Sequence, residues 1–397
     1  MNSVLKLGLI INPVAGMGGK IGLHGTDNEL AKLAIAQGAE NVSNARAKRA
    51  LEILAKKKEI INFYSPSGIM GGDLLATLDL AYKQVNTHEA NFQESSYQHT
   101  QSCAENMLRE NVDAILFAGG DGTARDIFSI VSNKIPILGV PSGVKMRSGV
   151  FANYPEQAAL IIIQAALAKK SGKSIELCDT EILDAGVNSE EYSHSEFFGN
   201  AITFKSPNQI TNPKVNSNSN QDSALMELAG FLAENLDQDR LYLFGPGQST
   251  KAILERVSPK RAKKFHAGVD AYYAGKIVGE DLNERSIIEL LEIYTGKTTA
   301  KLPILYLGVI GGQGFLLGRG NQQLSFEVIS KIGGNNVYIM ANAAKLSQIV
   351  PSRLYVDFGE VNHSKIFPEY IKVHVAIDRT LVCKVVFDPM HQRALAV

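Results

Sequence analysis

The chain has 397 residues, 45% of them hydrophobic and 20% charged, which is the make-up of a folded protein of one large or two ordinary domains and excludes a disordered or coiled-coil chain. Lys plus Arg and Asp plus Glu number 40 each, so the formal charge is zero and no basic excess points to a nucleic acid. The 3 cysteines, Cys103, Cys178 and Cys383, are too far apart in sequence for a disulfide framework or a structural zinc site and fit a reducing cytoplasm.

The opening "LKLGLIIN" reads as a strand covered on both faces, and not as a leader, because its apolar run stops at Asn12 and Pro13 and no small-residue cleavage pattern follows. It runs directly into the glycine-rich "NPVAGMGGK". Ala31 to Lys58 is predicted helical with a break near Gly38, "EIINFY" is a second strand, and "AILFAGG" and "PILGV" follow the polar stretch from Tyr82 to Gln101. Ala158 to Ala168 is too short to cross a bilayer and reads as a buried helix. Strands alternating with helices imply a mostly parallel sheet in an α/β domain over residues 1–168, with binding sites at the carboxyl ends of the strands.

After Lys169 the texture changes to short strands and polar turns, which predicts a β-rich domain over 169–335 with an exposed Asn/Ser-rich loop near 206–221. Ala224 to Asn235 and Arg285 to Tyr294 read as helices, "GVDAYYAGKIVGED" as a glycine-turned hairpin and "PILYLGVI" as a strand. Residues 336–397 alternate strands and turns and are assigned to a C-terminal segment that could return to the first domain.

"AILFAGGDGTARDI" carries the sharpest chemistry. Gly119, Gly120 and Gly122 allow a tight turn and a close backbone approach to phosphate, Thr123 is placed to cap the following helix, and the Asp121 carboxylate is suited to take a hydroxyl proton or orient a magnesium-bound phosphate. Asn12 with Gly16, Gly18 and Gly19 forms a second cradle, and Ser142, Gly143, Lys145 and Arg147 a third turn offering hydroxyl and positive charge. In the second domain Gly245, Gly247, Ser249 and Thr250 make a further anion-binding candidate at a helix start, and Asp270, Arg319 and Asn321 are candidate wall residues for an acceptor. "SGKS" and "TGKT" lack the first glycine of a Walker loop, and His99 with Cys103 makes no metal site without further ligands.

Taken in order, "NPVAGMGG", "FAGGDGTARD", "GVPSGVKMRSG", "LFGPGQSTKAI" and "GRGNQQLS" resemble the ATP-NAD kinase superfamily, in particular its branch of ATP- or polyphosphate-dependent NAD kinases associated with the AcoX group. The resemblance implies a three-layer α/β N-terminal domain with a mostly parallel sheet and a β-rich second domain, the NAD kinase/diacylglycerol kinase-like fold. It implies magnesium-dependent phosphoryl transfer from ATP or polyphosphate to the adenosine ribose hydroxyl of NAD, with Asp121 as catalytic base and magnesium carried on phosphate, not in a fixed protein cluster. It also implies a cytoplasmic homodimer or homotetramer working on nucleotides, with no membrane or nucleic-acid partner. Typical NAD kinases open their second domain with an Asn-Glu or Asn-Asp pair that holds ribose. Here the matching "EILDAGV" offers only Asp184, which leaves another nucleoside or a small polyol open as acceptor. A nucleotide-binding regulator without turnover and a lipid kinase are the further alternatives.

Overall fold

The computed structural model describes residues 4–19, 41–85, 96–144, 146–185, 195–206, 223–263, 268–295, 301–310, 313–347, 349, 352–359 and 366–387. The chain divides into two compact units, Met1–Gly18 with Gly25–Lys214, and Gly19–His24 with Val215–Val397.

The first unit is built on a five-stranded sheet of β1 (Leu5–Ile11), β2 (Ile61–Ser65), β3 (Tyr82–Gln84), β4 (Ala114–Gly119) and β5 (Ile137–Pro141), in the order β3-β2-β1-β4-β5. Every pairing is parallel. The apolar runs of β1 and β4 are continuous because both faces are covered. On one face Leu5, Leu7 and Leu9 pack with Ala47, Ala50, Leu51 and Leu54, the helical stripe of Val42–Ala55, and with Ala158 and Ile162 of Pro155–Lys170. On the other, Ile10, Ile115 and Phe117 pack with Cys103 and Met107 of Tyr97–Arg109 and with Ala124 and Ile127 of Asp121–Val131. These are the three layers that the motif resemblance implies, around the parallel sheet that the alternation of strands and helices predicts. The His99 Nδ1 accepts the Ser96 N–H in a capping box at 3.0 Å.

The sheet runs from β1 outward through β2 to β3 and then resumes on the other side at β4. In open α/β sheets the crevice for a ligand lies at such a reversal, outside the carboxyl ends of the two strands. Here those ends lead into Asn12–Gly18 and into Gly120–Thr123.

β6 (Leu177–Ala185) and β7 (Ser195–Phe204) form an antiparallel hairpin. The hairpin groups with the first unit because Ile182 and Ala201 enter the same apolar cluster as Ile127 of the Asp121–Val131 helix. Gly199, at φ +141, lets it sit close: a Cβ there would lie 2.6 Å from the Phe128 ring. The Asn/Ser-rich loop falls, from residue 207 on, outside the described residues.

The second unit holds a nine-stranded sheet, order β10-β9-β8-β11-β13-β15-β16-β14-β12. Its strands are β8 (Tyr242–Phe244), β9 (Val269–Tyr273), β10 (Lys276–Leu282), β11 (Ile304–Gly308), β12 (Phe315–Leu317), β13 (Val337–Met340), β14 (Arg353–Val356), β15 (Tyr370–His374) and β16 (Thr380–Val386). β8, β11, β13 and β15 run parallel at its centre, so the β-rich region is a mixed sheet. β13 to β16 all pair here, which places the described part of 336–397 in the second unit's sheet and not in that of the first. Among the described residues no helix is long and apolar enough to cross a membrane.

Candidate active site

The turns after β1, β4 and β5 are locked together by main-chain bonds. Asn12 N–H donates to Ala118 O at 2.9 Å, and the Ser142 and Gly143 N–H groups both donate to Gly119 O, at 3.1 and 3.0 Å. Gly16, at φ +82, packs so tightly on the third turn that a Cβ would lie 2.0 Å from Ser142 O. Arg46 reaches from the Val42–Ala55 helix to Pro141 O at 3.0 Å and fixes the end of β5. Asn12, Gly16, Gly18, Gly119, Gly120, Asp121, Gly122, Thr123, Ser142, Gly143, Arg147 and Asp184 therefore all belong to the first unit.

The glycines divide by role. A Cβ at Gly119 would strike Thr123 at 2.5 Å and one at Gly120 would meet Gly143 Cα at 3.1 Å, so these two serve close packing within the protein. Only Gly122 of the three faces open ground, its nearest neighbours being Asp184 Oδ2 at 3.8 Å and Arg125 Nη2 at 3.9 Å. Thr123 is not the helix cap. Gly120 takes that position, and the Thr123 hydroxyl accepts from Asn12 Nδ2 at 2.9 Å inside the first turn. The Ser142 hydroxyl is also committed, donating to Val140 O at 3.1 Å in place of a free contact for phosphate or ribose. Lys145 lies outside the described residues.

Asp121 opens the Asp121–Val131 helix and is only 6% exposed. Its carboxylate accepts from Arg147 N–H at 2.7 and 2.9 Å, from Ser148 N–H at 2.9 Å and from the Ser148 hydroxyl at 2.8 Å. Arg147 thus meets the site through its main chain, with a buried side chain, and not as the exposed cation its sequence position suggests. Ser148 Oγ also lies 2.9 Å from Leu183 O and accepts Leu183 N–H at 3.0 Å. A hydroxyl has one proton, so Ser148 can serve Asp121 and Leu183 O together only when Asp121 brings a proton of its own. That fits the Asp121 pKa, pushed up to about 7 by burial, and further by the Asp184 charge, against the lowering pull of the Ser148 and Arg147 donors.

The pH dependence follows. A folded pKa near 7 stands above the unfolded value of about 3.9, so the native chain binds more protons than the unfolded one between them. The stability from this group is complete below about pH 4 and is lost as pH rises through about 7. Urea unfolding of the wild type should weaken from pH 6 to pH 8 more steeply than that of Asp121→Asn. Equal slopes would remove Asp121 as the titrating group.

Two residues that sequence reasoning passed over complete the site. Arg125, one turn along the helix from Asp121, donates to Asp184 Oδ2 at 2.7 Å and also contacts Asp126. Ser148, described above, anchors the third turn. Asp184 is held beside Gly122 by the β6–β7 hairpin and is the more accessible of the two carboxylates, with a side chain 16% exposed. If it binds an acceptor hydroxyl, Asp184→Asn should raise the acceptor KM about tenfold, the worth of a charged hydrogen bond, with kcat changed less. An unchanged KM in steady-state kinetics would remove it from the acceptor site.

The remaining candidates sit in the second unit. Gly19 groups there, next to the Gln322 side chain. Gly247 caps the Gln248–Val257 helix, and Thr250 Oγ1 turns back to Gly247 O at 2.9 Å and also bonds Gly245 O, so this hydroxyl closes the turn and is not free for an anion. Ser249 is buried against Gly308. Asp270 is not a free wall carboxylate: it pairs bidentately with Arg261 at 2.8 and 2.9 Å and is 1% exposed. Arg319 lies over the Phe315 ring at 4.2 Å and pairs with Asp357 at 3.3 Å. Asn321 ties the same turn, accepting Gly318 N–H at 2.8 Å and donating to Leu316 O at 2.9 Å.

No curated protein matches the chain. A solved glycosyltransferase from Rickettsia africae ESF-5 aligns with 89% of this chain and 73% of its own at 10% identity, with a TM-score of 0.22, too slight a likeness to bear on fold or function. Residues 7–170, which span the five-stranded sheet and the Asp121 turn, match the family described as the ATP-NAD kinase N-terminal domain, a phosphotransferase domain.

Proposed function

We propose that the protein transfers the terminal phosphoryl group of ATP, or of polyphosphate, to the adenosine ribose hydroxyl of NAD, giving NADP. The observation that carries this reading is the position of Asp121. Within the matched ATP-NAD kinase domain it stands at the sheet's reversal point, opening a helix whose first N–H groups have no partner inside the helix. A carboxyl titrating near 7 is matched to taking a hydroxyl proton at neutral pH. For that step the Arg147–Ser148 segment must release at least one carboxylate oxygen, since the present bonds occupy both.

The donor's phosphates fit the open side of Gly122, where the helix N–H groups and the Arg125 guanidinium converge, and Asp184 is placed to receive the acceptor's hydroxyls. Among the described residues no three His, Cys, Asp or Glu side chains converge on a metal position. In this reading magnesium arrives on the phosphates and neutralises their charge. The AcoX-like assignment, a cytoplasmic location and assembly as a homodimer or homotetramer follow the motif resemblance, and light scattering over a concentration series tests the last of these.

The deciding experiment incubates the purified chain and magnesium with ATP or polyphosphate against NAD, other nucleosides, small polyols and lipid alcohols. NADP formed over many turnovers is the expected result. A phosphorylated polyol or lipid would reassign the acceptor, and nucleotide binding without any product would mark a regulator.

A further inference from the structure

At the amino ends of β11, β13 and β15 the second unit's sheet carries a cleft of about 490 Å³, within the usual size of small-molecule sites. Its lining includes Arg240, Asn336, Tyr338, Tyr370, Lys372 and His374, and no Asp or Glu. Along β15 the buried Ile371 and Val373 alternate with Tyr370, Lys372 and His374, so the latter three share the outward face. The His374 ring stacks on Tyr338 at 3.9 Å and 15°, while Lys384, opposite Tyr370 on β16 and 5.9 Å from its ring centre, stands outside the lining and is paired with Glu369 at 3.1 Å. Aromatic faces and cations thus alternate across one concave patch.

The charges in the cleft are not balanced. Arg240 makes no side-chain ion pair among the described residues, and its buried Nε has no hydrogen-bond partner. Asp237, three residues earlier, is taken up by Lys301 and by the Asp239 N–H. Burial first, and then the charge of Lys372, hold the His374 pKa below its ordinary value. A buried guanidinium nitrogen without an acceptor is costly, and a bound anion would both satisfy it and relieve the repulsion.

We infer that this cleft binds a phosphate monoester carried on a planar ring, the class of a mononucleotide, with Arg240 and Lys372 on the phosphate and Tyr338 and Tyr370 against the ring. The inference stands apart from the phosphoryl-transfer reading, which rests on the first unit.

The test is local to the cleft. In NMR spectra of the full chain, the ring signals of His374 are identified by their loss in His374→Gln and followed during titration with AMP, adenosine and inorganic phosphate. AMP should move the His374 signals saturably, and Arg240→Ala and Lys372→Ala should each raise its Kd at least about tenfold, the worth of a charged contact. Lys372 is exposed, so its replacement leaves the fold intact. Unmoved His374 signals with AMP, or unchanged affinity in Lys372→Ala, would overturn the site. Adenosine binding as tightly as AMP would remove the cations from recognition, and phosphate binding as tightly as AMP would remove the rings; either overturns the assigned class.

Discussion

Asp121→Asn should lower turnover at least about 10²-fold with little change in acceptor affinity, because an amide keeps a hydrogen bond but cannot take the hydroxyl proton. The structure adds a second consequence. Both oxygens of the native carboxyl accept main-chain N–H groups, from Arg147 and Ser148, and an amide puts in place of one of them an NH2 group that cannot accept. The variant should therefore also lose about 1–3 kcal/mol of stability. Ser148→Ala separates the two effects. It removes the hydroxyl that bridges Asp121 and Leu183 but leaves the carboxyl in place, so it should cost similar stability and much less turnover. Rate measurements at saturating donor, acceptor and magnesium, beside urea unfolding of both variants, are the check. Equal losses of turnover in the two would mean that the shape of the third turn matters and the carboxyl does not.

The network around Asp121 also marks where sequence reading stops. β1 and β4 are legible because burial on both faces writes an unbroken apolar run, and the glycines after them announce turns whatever those turns hold. What the glycines make room for is not legible. Gly119 and Gly120 yield to Thr123 and Gly143, and a ligand cradle would leave the same pattern in sequence. Arg125 stood inside the recognised "GGDGTARD" stretch, but its partner Asp184 is 59 positions away, and Ser148 bonds a residue 35 positions on. Neither pairing has a local signature. The β6–β7 hairpin shows the same limit: its polar turns suggest a new domain, while its place beside the Asp121 helix depends on the burial of Ile182 and Ala201.

Asp270 gives the clearest contrast between a residue's type and its task. In sequence it is an acid in a glycine-turned hairpin, fit for a substrate wall. In the fold both its oxygens face Arg261, at 2.9 and 2.8 Å, while the Asp281 N–H adds a bond at 2.9 Å to one of them. Arg261 is as deeply buried, with a side chain 4% exposed. Asp281 and Glu280 lie against the same guanidinium, but their side chains are 35% and 58% exposed, so neither can replace the buried partner. Removing one member of a buried pair strands the other's charge in a poorly solvated site, which costs about 3–5 kcal/mol, more than the pair itself contributes. Asp270→Ala should destabilise the second unit by that amount in urea or thermal unfolding. Replacing both members with apolar residues of similar volume, Asp270→Leu with Arg261→Met, should recover most of the loss, because no charge is then left behind. A single variant that stays as stable as the wild type while its acceptor KM rises would return Asp270 to the substrate wall.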